Sequence, residues 1–226
     1  SLKLENVSFK YVENGKTIIK EVNFELFKGE CVGIIGKTGG GKSTLIDIIL
    51  GLLKPSKGKL LVDGKNIHDP KNPMIINKWR NSLTYVPQNI FLTDNSIKEN
   101  IAFGIPTNQI NMDEVIKSAK QANIHDFIEN NSGGYETFVG ERGIKLSGGQ
   151  IQRIGIARAL YKKSKFIIFD EATSSLDYET EQKVINSIRR INKSCTIIMI
   201  AHRLNTLENC DKIVEIESGQ IKTISS

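Results

Sequence analysis

The segment Gly36-Lys37-Thr38-Gly39-Gly40-Gly41-Lys42-Ser43 constrains this chain more than any other. It stands between a short apolar run, Cys31 to Ile35, and a stretch from Ser43 to Leu53 in which Leu45, Ile48, Ile49 and Leu52 recur on one helical face. Strand, glycine-rich loop and helix in that order make a cradle for phosphate. The glycines let backbone amides curl around the anion, the helix turns its positive end toward it, Lys42 reaches the outer phosphates, and the Ser43 hydroxyl suits magnesium. Such a loop fits a kinase, a GTPase, a recombinase or a transporter motor, so further features must choose among them.

The rest of the chain is organised around this unit. Leu2 to Tyr11 alternates apolar and polar residues, and Val22 to Phe27 does so again after a turn at Gly15, which predicts two antiparallel strands. Leu60 to Val62 and Leu83 to Val86 read as further strands. From Asn89 to Lys163 the pattern turns helical: Ser96 to Phe103, Met112 to Ala122 with Asn111 and Glu114 as a capping box, and Gly148 to Lys163. Alternation then resumes with Lys165 to Phe169, Thr180 to Ile191, Cys195 to Ile200, and a hairpin of Lys212 to Glu217 and Ile221 to Ile224 around Ser218 and Gly219. Strands alternating with helices predict a parallel sheet covered by helices.

Bulk properties exclude several classes. A chain of 226 residues with 39% hydrophobic and 25% charged residues suits one compact globular unit with a core of its own. Its longest apolar stretches, such as Phe166 to Phe169 and Ile197 to Ala201, are of strand length, well short of the roughly 20 residues a spanning helix needs. Ser1 to Tyr11 has neither a basic opening nor a small-residue cleavage site, so a secretory leader is not expected and a cytosolic setting is. Cys31, Cys195 and Cys210 lack metal-ligand spacing and are expected to be reduced structural thiols. The formal charge of +6 is spread along the chain and only 7% of residues are aromatic, which argues against a nucleic-acid partner and for a solvated surface or one facing anionic lipid headgroups.

Two further motifs narrow the choice. Phe166-Ile167-Ile168-Phe169-Asp170-Glu171 is an apolar strand ending in two acids; Asp170 at the strand end can reach magnesium, and Glu171, one step on, can polarise an attacking water. Leu146-Ser147-Gly148-Gly149-Gln150 opens the helix that carries Gln152, Arg153 and Arg158. Ser147 is its expected cap, and the two glycines bare amides at the positive end, so one chain holds two phosphate sites of different kinds.

With that pentapeptide the chain resembles the ATP-binding cassette (ABC) ATPases, whose signature motif it is, and the resemblance runs in order through essentially the whole chain. It implies an α/β fold: a P-loop NTPase (RecA-like) core over 31–88 and 164–226, an N-terminal antiparallel β subdomain over 1–30 with part of 57–64, and an inserted α-helical subdomain over 89–163, all in one domain. It implies ATP and Mg2+ as cofactors. Tyr11 matches the adenine-stacking aromatic; Gly36, Lys37, Thr38, Gly39, Gly40, Gly41, Lys42, Ser43 and Thr44 the Walker A loop and its continuation. Gln88 matches the Q-loop glutamine, which with Ser43 and Asp170 would serve the metal. Asp170 and Glu171 match the Walker B pair, Ser147, Gly148, Gly149 and Gln150 the signature, Ser174 to Asp177 the D-loop, and His202 the switch histidine. Glu171 and His202 would be the catalytic residues. Gly40, Ser175 and Ile151 depart from common family usage without removing a donor, a carboxylate or a charge.

In this family two cassettes close head to tail around two ATP, so the implied partners are a second copy of the domain and a transmembrane domain, fused upstream, at the cytoplasmic face of the cell membrane. Thr137-Phe138-Val139-Gly140-Glu141-Arg142-Gly143 resembles the X-loop of exporters, and Ser96 to Gly104 is also an exporter habit. The chain starts at a strand without methionine, as an excised domain would. The wording around Tyr85 to Gln88 and Gly155 to Tyr161 is similar to exporters of lipid-linked saccharides and polysaccharides, with lipid and peptide exporters as alternatives. Soluble ABC ATPases that act on DNA or ribosomes carry coiled-coil or zinc insertions or two cassettes, and neither Asn77-Lys78 nor Asn192-Lys193 is followed by the aspartate of a guanine-reading motif.

Overall fold

The computed structural model describes residues 1–191, 195–201 and 204–225, and these divide into two compact units, Ser1–Leu83 with Ser194–Ser226, and Thr84–Lys193.

The first unit contains an antiparallel sheet built on β1 (Leu2–Phe9) and β2 (Ile19–Leu26). Its alternation is broken by design. Leu2 and Leu4 are buried, but so are Val7 and Phe9, a change of phase by one residue. The register shifts between Leu4 and Val7, where Asn6 takes a φ of 48° and exchanges hydrogen bonds with Asn23. That bulge turns both halves of the strand inward. Glu21, at φ 48°, does the same for β2 between Ile19 and Val22. β4 (Lys57–Val62) pairs antiparallel with β1, and β5 (Lys65–Asn66) adds a short edge, for the order β2-β1-β4-β5.

The unit also contains β3 (Cys31–Ile35), paired in parallel with both β8 (Thr196–Ile200) and β9 (Lys212–Glu217), while β10 (Gln220–Ser225) closes a hairpin on β9. All five residues of β8 and the first four of β3 are buried, as a parallel sheet covered on both faces requires. α1 (Lys42–Ile49) follows β3 through the glycine loop and buries Thr44, Leu45, Ile46, Ile48 and Ile49.

The helix expected to reach Leu53 stops earlier, because Gly51 adopts a left-handed conformation at φ 72° and its amide bonds back to Ile48 O. α2 (Met74–Ser82), a helix the sequence reading did not include, supplies Trp79 Nε1 to Ile49 O at 2.7 Å and the Arg80 guanidinium to Gly51 O, so that two carbonyls at the end of α1 have partners.

The second unit opens with β6 (Leu83–Val86), which lies beside β7 (Phe166–Asp170). Between them come α3 (Ile97–Ile101), α4 (Met112–Gln121), α5 (His125–Glu129) and α6 (Gly148–Tyr161), and α7 (Tyr178–Ile191) follows β7. Ser96 and Glu99 form a complete capping box on α3. On α4 only half of the expected box exists: Asn111 accepts from Glu114 N, but the Glu114 carboxylate pairs with Lys163 at 2.9 Å.

α6 is apolar on most sides and packs tightly; a Cβ at Gly155 would stand 2.6 Å from Ile90 Cδ1. Arg158, largely desolvated and therefore held below the usual guanidinium range, donates to Asn100 O and Phe91 O and lies 4.8 Å from the Phe103 ring centre. Asn100, fully buried, answers by bonding Thr93 on both its amide atoms, and so ties residues 91–103 to α6.

Candidate functional site

In the first unit the glycine loop is buttressed from outside. A Cβ at Gly36 would fall 2.3 Å from Ile216 O, so only glycine fits there. Gly219, in the turn between β9 and β10, donates from its amide to Gly40 O at 3.1 Å and accepts from Lys20 N at 2.8 Å, which wedges the hairpin between the loop and β2. Inside the loop the Lys42 ammonium donates to Gly36 O at 2.6 Å and to Lys37 O at 3.2 Å. A cation is thus seated in a ring of backbone, at the start of a helix whose first amides point the same way; this is an arrangement that fits a triphosphate.

A cavity of about 360 Å³ adjoins the loop, lined among others by Lys16, Ile18, Lys37, Gly39 and Ser218, which falls within the size range of small-ligand sites. Tyr11 lies just past β1, 62% exposed, with its ring edge-on to Phe9 at 5.0 Å and its hydroxyl sharing a hydrogen bond of 3.1 Å with that of Thr44 on α1. Ser43, exposed, is the second residue of α1.

The second unit brings together Gln88, Asp170, Glu171, the signature residues and Asp177. Asp170 ends β7, and its Oδ2 accepts from the Tyr85 hydroxyl at 2.8 Å. Glu171 has a φ of 52°, a left-handed conformation that costs a residue with a Cβ about 1–2 kcal/mol. The turn swings its side chain off the course of β7, and Gln88 Nε2 donates to its Oε2 at 2.8 Å.

Ser147 caps α6 as expected: its Oγ accepts from Gln150 N, and Gln150 Oε1 accepts from Ser147 N at 2.8 Å. Gly148 and Gly149 lie against residues 175–176; a Cβ on Gly149 would meet Ser175 O at 3.3 Å. Asp177 accepts from Thr180 N at 2.9 Å in the first turn of α7, and these hydrogen bonds, with a smaller contribution from the Arg153 charge, hold its carboxyl below the ordinary range. Asp177 therefore has a helix-capping duty that its D-loop assignment did not anticipate.

Two polar residues were given no role by the sequence. Tyr85, the partner of Asp170, gives no signal of its own on a short strand. Gln152, 4% exposed, stands between Ile151 and Arg153 in a mixed stretch of helix, and nothing in that pattern marks it for burial. His202 lies outside the described residues.

A lysine-bearing glycine loop, a strand that ends in Asp-Glu and a second glycine-rich, serine-capped helix start define a P-loop nucleotide hydrolase of the cassette class. The family model described as "ABC transporter" matches residues 19–174, more than half of the chain, and the chain belongs to that family as its ATP-hydrolysing, ATP-binding domain.

An ATP-binding/permease protein of Staphylococcus aureus (strain NCTC 8325 / PS 47) named for multidrug export is 44% identical over 218 residues, 96% of this chain and 37% of that protein. The leukotoxin translocation ATP-binding protein LktB of a Pasteurella haemolytica-like species (strain 5943B) is also 44% identical, over 96% of this chain and 30% of its own length. A solved structure of a bacterial Atm1-family ABC exporter with ATP bound is similar at a TM-score of 0.89 and 38% identity, covering 98% of this chain and 38% of that one. The chain thus spans about a third of the length of these relatives. Among the described residues no helix is long and apolar enough to cross a membrane.

Proposed function

We propose that this domain is the motor of an ABC exporter: it binds ATP with Mg2+, closes head to tail on a second copy around two ATP, and hydrolyses them to drive a membrane domain at the cytoplasmic face of the cell membrane. The observation that carries this reading is the serine-capped start of α6, with Gly148 and Gly149 baring amides, in a chain that already has a phosphate loop around Lys42. One copy of each element per chain gives two composite sites in a twofold pair. The boundaries read from the sequence, with 31–88 and 164–226 as core and 89–163 as insertion, belong to the same reading.

In the site, Lys42 neutralises the outer phosphates and Tyr11 offers its ring face to the base. Ser43, Asp170 and the Gln88 carbonyl are hard oxygen donors of the kind that suits Mg2+, and they would hold it. When bound, Mg2+ would offset the negative charge of the phosphates. Glu171, held by Gln88, orients the attacking water and draws on its proton. His202 donates to the terminal phosphate, and Ser147 to Gln150 serve the nucleotide of the other copy.

The relatives' names divide between multidrug export and leukotoxin translocation at the same 44% identity, so the motor's sequence follows the machinery and not the cargo. The cargo of this chain's transporter, for which the sequence favours lipid-linked saccharides, lipids or peptides, is accordingly set by its membrane part.

Lys42→Ala and Ser147→Arg separate the two halves of the composite site. Lys42→Ala is expected to weaken nucleotide binding in dilute monomer, whereas Ser147→Arg leaves that binding within about threefold and abolishes turnover. Equal loss of monomer affinity in both variants would contradict the composite site.

A further inference from the structure

The D-loop turn and the signature helix are joined by one buried side chain that the functional reading does not use. Gln152, in the second turn of α6, is 4% exposed. Its Nε2 donates to Ser174 Oγ at 3.2 Å and its Oε1 accepts from Ser175 N at 2.9 Å, so both ends of the amide are engaged by the same turn. That turn is short and closes on Glu171: Ser174 N donates to Glu171 O at 3.1 Å, and Leu176 N to Thr173 O at 3.0 Å. Beyond it Thr173 Oγ1 donates to Glu181 Oε1 at 2.5 Å, and Asp177 caps α7.

Glu171 itself stands in a left-handed conformation, which a residue with a Cβ keeps only where its surroundings fix both ends. On the side-chain end Gln88 holds the carboxylate. On the backbone end the turn at 173–176 holds the carbonyl, and Gln152 holds the turn.

We propose that Gln152 is a positioning residue for hydrolysis: it fixes the 171–176 turn against the signature helix and thereby the backbone angle from which the Glu171 carboxylate is presented. The inference rests on the proposed role of Glu171 as the water-orienting carboxylate. Both polar atoms of the Gln152 side chain are engaged by the turn, so its effect is exerted through Glu171. The same contact makes the position of Glu171 answer to any displacement of α6, since the glycines that open that helix abut Ser175 and Leu176. A signature helix engaged on a second copy's nucleotide would then be felt, through Gln152, at this copy's carboxylate.

A shift of the carboxylate by about 1 Å costs on the order of a hundredfold in rate while leaving ground-state binding almost untouched. The test compares the 226-residue chain with its Gln152→Leu, Ser174→Ala and Glu171→Gln variants in steady-state ATP hydrolysis, melting temperature and amide exchange. Gln152→Leu is expected to lower kcat about thirtyfold to a hundredfold with KM within about threefold, and to speed exchange of the Ser175 amide, which loses its acceptor. Ser174→Ala, which deletes one of the two bonds, is expected to lower kcat several-fold at unchanged melting temperature, and it decides the matter if Gln152→Leu does not fold. Wild-type kcat in these variants, with Glu171→Gln inactive, overturns the role of Gln152 and leaves that of Glu171 standing. Ordinary turnover in Glu171→Gln overturns both.

Discussion

The Gln88 side-chain amide donates to the Glu171 carboxylate at 2.8 Å, so the residue expected to serve the metal and the residue expected to orient water are in direct contact. An uncharged donor can steer a carboxylate without neutralising it, which a lysine or arginine in the same place would do. Removing the amide in Gln88→Ala is expected to lower kcat about tenfold and to raise the Mg2+ concentration needed for half-maximal rate, because one oxygen donor is lost with it. Gln88→Glu should be worse than Gln88→Ala, since a second carboxylate there repels Glu171 and favours its protonated form. Steady-state rates across a Mg2+ titration check both.

Tyr11 is expected to act through its ring. Aromatic stacking on a base contributes about 1–3 kcal/mol, so Tyr11→Ala should weaken ATP binding by about tenfold or more. Tyr11→Phe keeps the ring and its edge-on contact with Phe9 but loses the bond to the Thr44 hydroxyl, and should stay within about threefold of wild type. Fluorescent-nucleotide titration of the two variants distinguishes stacking from tethering.

Cys195 links pH to stability. Burial pushes its thiol up to about 11 from 9.0, with a lesser contribution from Cys31 nearby. A group whose folded value is raised stabilises the fold below its unfolded value and loses that contribution as pH climbs through the folded one. The stability contributed by Cys195 is therefore present below about pH 9 and lost by about pH 11, up to roughly 3 kcal/mol. Denaturant melts between pH 8 and 11 should show wild type losing more stability than Cys195→Ala over that window. In the folded protein at pH 8, Cys195 should also alkylate more slowly than the half-buried Cys210.

Much of this was legible because phosphate chemistry needs fixed residue types at fixed spacing. Gly36 to Ser43, Ser147 to Gln150 and Asp170-Glu171 could be placed on their strands and helices, and β3 and β6 coincide with the runs Cys31 to Ile35 and Leu83 to Val86. What escaped was set by contacts distant in sequence. The bulges at Asn6 and Glu21 reverse an alternation that reads as continuous, and α2, short and with Trp79 as its one buried residue, presents only a narrow apolar edge. Gly51 ended α1 because its conformation, unlike its identity, is decided by packing. Glu114 found Lys163 across space and abandoned the reciprocal half of its capping box. Gln152 and Tyr85 become visible only when their partners are in place.

The most direct measurement is made on Glu171→Gln. Incubated with ATP and Mg2+ and run on a sizing column, this variant is expected to elute as a dimer, with ATP affinity in the monomer within a few-fold of wild type and turnover down by about a thousandfold, since its binding groups remain and the proton acceptor is gone. A variant that hydrolyses ATP at the ordinary rate and stays monomeric with the nucleotide would contradict the account.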